Sequence, residues 1–170
     1  MDGMMGETIL GIDPGGTTGW SLWELPDDLP AMRLQYGAIK GGAMGFLFWM
    51  ERNLGPLRPS LIVFERFNPD LGYGDAKDYE ALIIQGLVMG AASALGIDLL
   101  LHETGMKAMC TDDALKRLGF YITPAEAKVD PAIMHEDARD VNDSEIHVLA
   151  HAKAIEHQPT LDAFWPEIVL

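Results

Sequence analysis

The amino-acid sequence predicts an α/β fold built on a mixed five-stranded sheet, with three antiparallel strands followed by parallel strands and helices flanking them. Three observations predict it. The first 40 residues hold three short segments with strand-like alternation or β-branched character, joined by tight connections. Leu61 to Glu65 (LIVFE) is apolar up to its terminal acid, the pattern of a strand covered on both faces. Around it lie longer stretches with helical spacing, so strands and helices alternate and a sheet with helices packed against it is the simplest arrangement.

Element by element, Thr8 to Asp13 (TILGID) reads as the first strand, and Pro14-Gly15-Gly16 turns the chain. Gly19 to Leu25 and Met32 to Lys40 read as the second and third, with Pro26, Asp27, Asp28 and Pro30 as loop between them. Gly41 to Leu54 carries Met44, Phe46, Leu47, Phe48 and Met50 near helical spacing and should close at Gly55-Pro56. After the Leu61 to Glu65 strand, Asp78 to Leu95 reads as a long helix. Gly86, Gly90 and Ala94 recur along it every four residues, a small-residue ridge that lets another element approach closely. Packing of that ridge against the sheet is the preferred reading and a dimer seam the alternative. Ile97 to Leu101 makes a further strand, Thr111 caps a helix through Leu118 that Gly119 stops, and a last long helix runs from about Arg139 to His157. The segment from Phe120 to Glu136 has no assignable pattern. The whole reads as one domain over residues 1–170, with its core at about 8–157 and a short C-terminal tail.

Composition narrows the function classes. The apolar stretches, such as Ala81 to Leu95, fall short of the ~18 to 20 uninterrupted residues that span a bilayer, so no membrane partner is expected. Met1 to Glu7 lacks the basic start and long apolar run of a signal peptide, and Cys110 is the only cysteine. No intrachain disulfide and no thiolate zinc cluster can form, and a cytoplasmic location fits. A formal net charge of −14 argues on composition against a nucleic-acid partner. A site for divalent cations, however, must concentrate carboxylates that only the bound ions neutralise.

Asp13 and Glu65 each end an apolar strand, and ligands of open α/β sheets bind at the carboxyl ends of the strands. Asp140 and Asp143 are three apart on the expected last helix, which puts both on one face. Four such acids suit a pair of hard divalent cations and phosphodiester hydrolysis. Taken singly, each has a plainer role. Asp13 can open a turn, Glu65 can leave a strand for solvent, and the Asp pair can complement a helix dipole.

The run Ile9-Leu10-Gly11-Ile12-Asp13-Pro14-Gly15-Gly16-Thr17-Thr18-Gly19-Trp20 resembles the opening strand and turn of RuvC-type Holliday junction resolvases. Glu65 then matches the position of that family's second acid. Asp140-Val141-Asn142-Asp143, with Ala150-His151 following, resembles the D-x-x-D of its last helix. The resemblance spans about Thr8 to His157, is specific at its two ends and loose between them. It is strongest toward compact phage-encoded members, mycobacteriophage RuvC-like proteins in particular. It implies an RNase H-like fold and a homodimeric crossover junction endodeoxyribonuclease that nicks four-way junctions, flaps and other branched DNA. It implies Asp13, Glu65, Asp140 and Asp143 as catalytic ligands to two Mg2+ or Mn2+ ions, with Asp13 bridging. In such a site one ion activates the attacking water and the other offsets charge on the leaving 3′ oxygen.

Beyond the acids, Arg66, Phe67, Tyr73 and Lys77 lie in the loop-rich segment after Glu65, and Lys107, Lys116 and Arg117 form a second small basic group; all are candidate DNA contacts. Phe67 is the first choice for an aromatic pressed against an unstacked base at the branch point, the alternative being an anchor for its loop. Lys107, Lys116 and Arg117 fall where the resemblance places phosphate-contacting lysines; the alternative is an ordinary solvated helix face, which suits Lys116 and Arg117 slightly better than Lys107. His147 and His151 share the helical stripe of Asp140 and Asp143, but Val148 follows His147, so the zinc-protease pattern His-Glu-x-x-His is absent. His147 is read as an auxiliary that hydrogen-bonds or adjusts protonation near the site, and His151 as structural.

Two rival classes remain. Gly11-Ile12-Asp13-Pro14-Gly15-Gly16-Thr17-Thr18-Gly19 also resembles the phosphate-binding turn of the sugar-kinase, actin and heat-shock ATPase superfamily, which needs a second domain and a second such turn. A non-catalytic branched-DNA-binding, packaging or replication partner could keep the fold without cleaving.

Overall fold

The computed structural model describes residues 6–67, 76–130 and 138–166. Five strands form one sheet in the order β3-β2-β1-β4-β5, from β1 (Glu7–Asp13), β2 (Thr17–Leu25), β3 (Met32–Lys40), β4 (Leu61–Glu65) and β5 (Asp98–His102). β1 pairs antiparallel with β2 and β2 with β3, while β1 with β4 and β4 with β5 are parallel. This is the mixed sheet expected, and its parallel half brings the C-terminal ends of β1, β4 and β5 to one edge.

Side-chain parity assigns the two faces. Leu10, Ile12, Ile62 and Phe64 pack under α1 (Gly42–Leu57) and α2 (Ala76–Leu95). Ile9, Leu61 and Val63 point the other way, into a core with Ile146, Leu149 and Ala150 of α5 (Ala138–Ala154). Asp13 shares the parity of Ile9, and Glu65 that of Leu61, so the alternation turns both acids toward α5. Two glycines let α5 lie close on the sheet: a Cβ on Gly11 would strike the Ser144 carbonyl, and one on Gly19 the Asp140 carbonyl.

Over the remaining chain, a 3-10 helix spans Thr104–Met109, followed by α3 (Asp112–Leu118), α4 (Pro124–Ala127) and α6 (Gln158–Phe164). Thr111 caps α3 through its side chain, and Gly119 ends it in the left-handed conformation, as expected. α4 lies in the segment without a legible pattern and is held by a capping box between Thr123 and Glu126.

Three expectations are corrected. α1 does not stop at Gly55-Pro56 but carries Pro56 within its last turn and ends at Arg58, whose N–H reaches the Leu54 carbonyl. The last long helix ends at Ala154, and Pro159 opens α6 instead of following a helix. The Gly86, Gly90 and Ala94 ridge of α2 does not pack on the sheet: all three are exposed, and a Cβ on either glycine would meet nothing within 4 Å. Ala81, Ile84, Val88 and Ala92 cover the sheet instead, with Ile84 and Val88 supplying the larger apolar groups whose burial favours this face.

Candidate active site and metal centre

Asp13 and Glu65 stand at the ends of neighbouring parallel strands, and α5 crosses above them so that Asp143 completes a three-sided cluster. Lys107, carried in by the 3-10 helix, fills its centre. Its ammonium lies 3.1 Å from Asp13 Oδ1, 3.0 Å from Glu65 Oε2 and 3.4 Å from Asp143 Oδ2. All four side chains are mostly buried, with 17% to 28% of their surface exposed. One positive charge therefore faces three carboxylates, an excess of negative charge that suits cations of higher valence.

The titration behaviour follows from this geometry. Burial pushes the Asp13 carboxyl up to about 7, with Lys107 pulling it down and Asp143 and Asp140 pushing it further up. Burial works against the charged form of Lys107, but Asp13, Asp143 and Glu65 outweigh it and hold the ammonium well above its ordinary value. Asp140 lies in the first turn of α5, on the side where its charge reaches Asp13.

His147 forms the floor. It is wholly buried, its Nε2 is 4.0 Å from Asp13 Oδ1, and that nitrogen has no hydrogen-bond partner among the described residues. One ligand atom each from Asp13, Glu65 and His147 lies within 4.8 Å of the others, so this group could hold a metal ion. A carboxylate pair with an unsatisfied buried nitrogen beside it fits a divalent cation on donor chemistry alone. Behind His147 lies His102, at the end of β5 in register with Glu65, its Nδ1 3.4 Å from Nδ1 of His147. His102 was not singled out from sequence. Its signal was faint: a lone histidine ending an apolar run shows nothing until the β4–β5 register is known. His151 is buried and faces Glu7 at 3.8 Å, an environment consistent with a structural role.

The basic candidates divide. Lys107 joins the acids directly. Arg66 is exposed and ion-paired with Glu103 at 2.9 Å, and Phe67 is half-buried with its backbone N–H held by Gln85 Oε1 at 2.9 Å. Lys116 makes local contacts, pairing with Asp113 and lying over the Tyr121 ring, while Arg117 donates to the Phe164 carbonyl and ties α3 to α6. Tyr73 lies outside the described residues, as does the side chain of Lys77. Among the described residues no helix is long and apolar enough to cross a membrane.

No protein-family model matches this chain, and no curated protein matches it. Solved structures do. Thermus thermophilus RuvC in complex with a Holliday junction substrate superposes with a TM-score of 0.62 at 16% identity, covering 89% of this chain and 97% of that one. The fowlpox virus Holliday junction resolvase gives 0.57 at 11% identity, covering 86% and 99%. The yeast mitochondrial Holliday junction resolvase gives 0.54 at 10% identity, covering 92% and 83%. The chain thus has the RNase H-like fold that its sequence resemblance implied, shared over 83% to 99% of the length of those structures.

Proposed function

We propose that this chain is a structure-selective endodeoxyribonuclease that hydrolyses phosphodiesters in Holliday junctions and other branched DNA with divalent metal ions. The observation that carries the reading is the convergence of Asp13, Glu65 and Asp143 on the single Lys107 ammonium at the C-terminal edge of the parallel strands. Asp13, Glu65, Asp140 and Asp143 hold two ions, Mg2+ or Mn2+, which when bound activate water and offset charge on the leaving oxygen. The protein's own part is to position. The strand ends fix Asp13 and Glu65, and the α5 helix fixes Asp143 through its close seat on Gly11 and Gly19. Lys107, set among the same acids, would offer its ammonium to the phosphate of the bound DNA.

Phe67 follows Glu65 by two residues and is available to stack on a base unpaired at the branch, with Arg66, Tyr73, Lys77, Lys116 and Arg117 as further DNA contacts. Paired nicks require two sites, and a homodimer supplies them; the exposed apolar face of α2 supports that assembly. A cytoplasmic role in phage recombination, replication or packaging follows the resemblance to compact phage-encoded relatives.

The test is cleavage of end-labelled four-way junction, flap and linear duplex in Mg2+ or Mn2+, with Asp13→Asn and Asp143→Asn beside the wild type. Branched substrates should be cut by the wild type and by neither variant. A wild type inactive in both metals that still binds junctions would favour the non-catalytic partner; cutting that survives both substitutions would mean that another site acts.

A further inference from the structure

Beneath the carboxylates lies a pair of histidines that the proposed chemistry has not used. Nδ1 of His102 and Nδ1 of His147 are 3.4 Å apart, and both rings are buried. A contact between two imidazole Nδ1 atoms holds a single proton, donated by one ring and accepted by the other. If His102 supplies that proton, His147 carries its own on Nε2, facing the acids. If His147 supplies it, Nε2 is left with a bare lone pair directed at Asp13. Nε2 has no hydrogen-bond partner among the described residues to settle the choice.

A divalent ion in the cluster would settle it, because a cation stabilises the lone pair and repels the N–H. Resting on the nuclease reading above, we infer that His147 ligates the ion shared by Asp13 and Glu65 through Nε2. His102 is the positioning residue that accepts the Nδ1 proton and keeps Nε2 bare. Metal-binding histidines commonly hold their second ring nitrogen against such an acceptor. The consequence is a mixed oxygen and nitrogen donor set at one position. Mg2+ favours oxygen and gains little from imidazole, whereas Mn2+ accepts nitrogen more readily, so the centre should lean toward Mn2+ relative to an all-carboxylate site.

Pulsed electron paramagnetic resonance of Mn2+ bound to the full chain tests this without any substitution. Modulation from a directly bound histidine nitrogen is expected, identified by isotopic labelling of histidine alone. It should vanish in His147→Gln and persist in His151→Gln. By calorimetry His147→Gln should weaken Mn2+ by ~10-fold or more and Mg2+ much less, and His102→Gln should weaken Mn2+ without abolishing the nitrogen signal. Mn2+ that binds in an Asp13-dependent manner with no histidine coupling would overturn the ligand assignment and leave the nuclease reading standing. Mn2+ binding unchanged in Asp13→Asn, or no Mn2+ binding even with junction DNA present, would instead overturn the carboxylate centre and this inference with it.

Discussion

The Lys107 ammonium sits where three acids meet, and its replacement separates two properties that usually fall together. In the wild type an incoming ion must displace a charge held by Asp13, Glu65 and Asp143. Lys107→Met removes that competitor, so Mn2+ should raise the melting temperature of the variant more than that of the wild type at pH 8. Cleavage should nevertheless fall, by ~10²-fold or more, because a cation that would face the phosphate is gone. Melting scans with and without Mn2+, beside single-turnover cleavage, check both halves; weaker ion binding in the variant would mean that Lys107 organises the acids. Asp13 gives a second residue-level prediction. Its carboxyl is raised to about 7 in the metal-free protein, so at pH 6 it is mainly protonated and must release a proton to accept an ion. Apparent Mn2+ affinity should climb about tenfold per pH unit up to about 7 and flatten above it. Calorimetry in buffers of different ionisation enthalpy should show close to one proton released at pH 6 and little at pH 8. Equal affinity at the two pH values would contradict this.

At the scale of elements, the site depends on how closely α5 lies on β1 and β2. Gly11→Ala and Gly19→Ala each place a methyl group against a carbonyl of that helix, at Ser144 and Asp140 respectively. Overpacking of this kind typically costs ~1 to 3 kcal/mol, and it also moves Asp143 off the strand-borne acids. Both variants should therefore lower the urea midpoint and lose cleavage beyond what the lost stability explains, whereas Gly16→Ala, where a Cβ meets nothing, should do neither. Equal tolerance at all three positions would show that α5 can shift without consequence. In sequence Gly11 and Gly19 were legible only as members of the opening motif, with nothing to show that a helix lies against them. The strands themselves were legible: β3 and β4 have the expected bounds because alternation and apolar runs are local signals. Asp13, Glu65 and Asp143 were legible as candidates because strand ends and helix spacing are local too. What stayed hidden is set by register and approach. His102 faces His147 only because β5 pairs with β4 so that His102 lies beside Glu65, and Lys107 enters the cluster through a short 3-10 helix with no periodic signature. The small-residue ridge misled for the same reason, since spacing shows which residues share a face and not which face the sheet covers.

For the whole molecule, a net charge of −14 and an exposed apolar stripe pull in different directions. An acidic chain has few cations to neutralise phosphates, so its junction affinity should depend on divalent ions and shape, with a shallow fall in affinity as monovalent salt rises. The stripe points to self-association. Along α2, Tyr79, Ile83, Gly86, Gly90 and Ala94 follow one another at helical spacing on the face away from the sheet, flanked by Leu82 and Met89, and Ile83 is 51% exposed. Two glycines in that line let a second helix approach to backbone distance, and the large apolar groups around them supply the surface to bury. A second copy meeting this face would form a symmetric interface in which α2 packs on α2. Sedimentation at micromolar concentration should find the wild type dimeric and Ile83→Glu monomeric with unchanged far-ultraviolet circular dichroism. The monomer should still nick a flap but lose paired nicking of a four-way junction, because its carboxylate centre is intact and only the second site is missing. A monomeric wild type would remove the dimer from the proposal, and a dimer that survives Ile83→Glu would move the interface off α2.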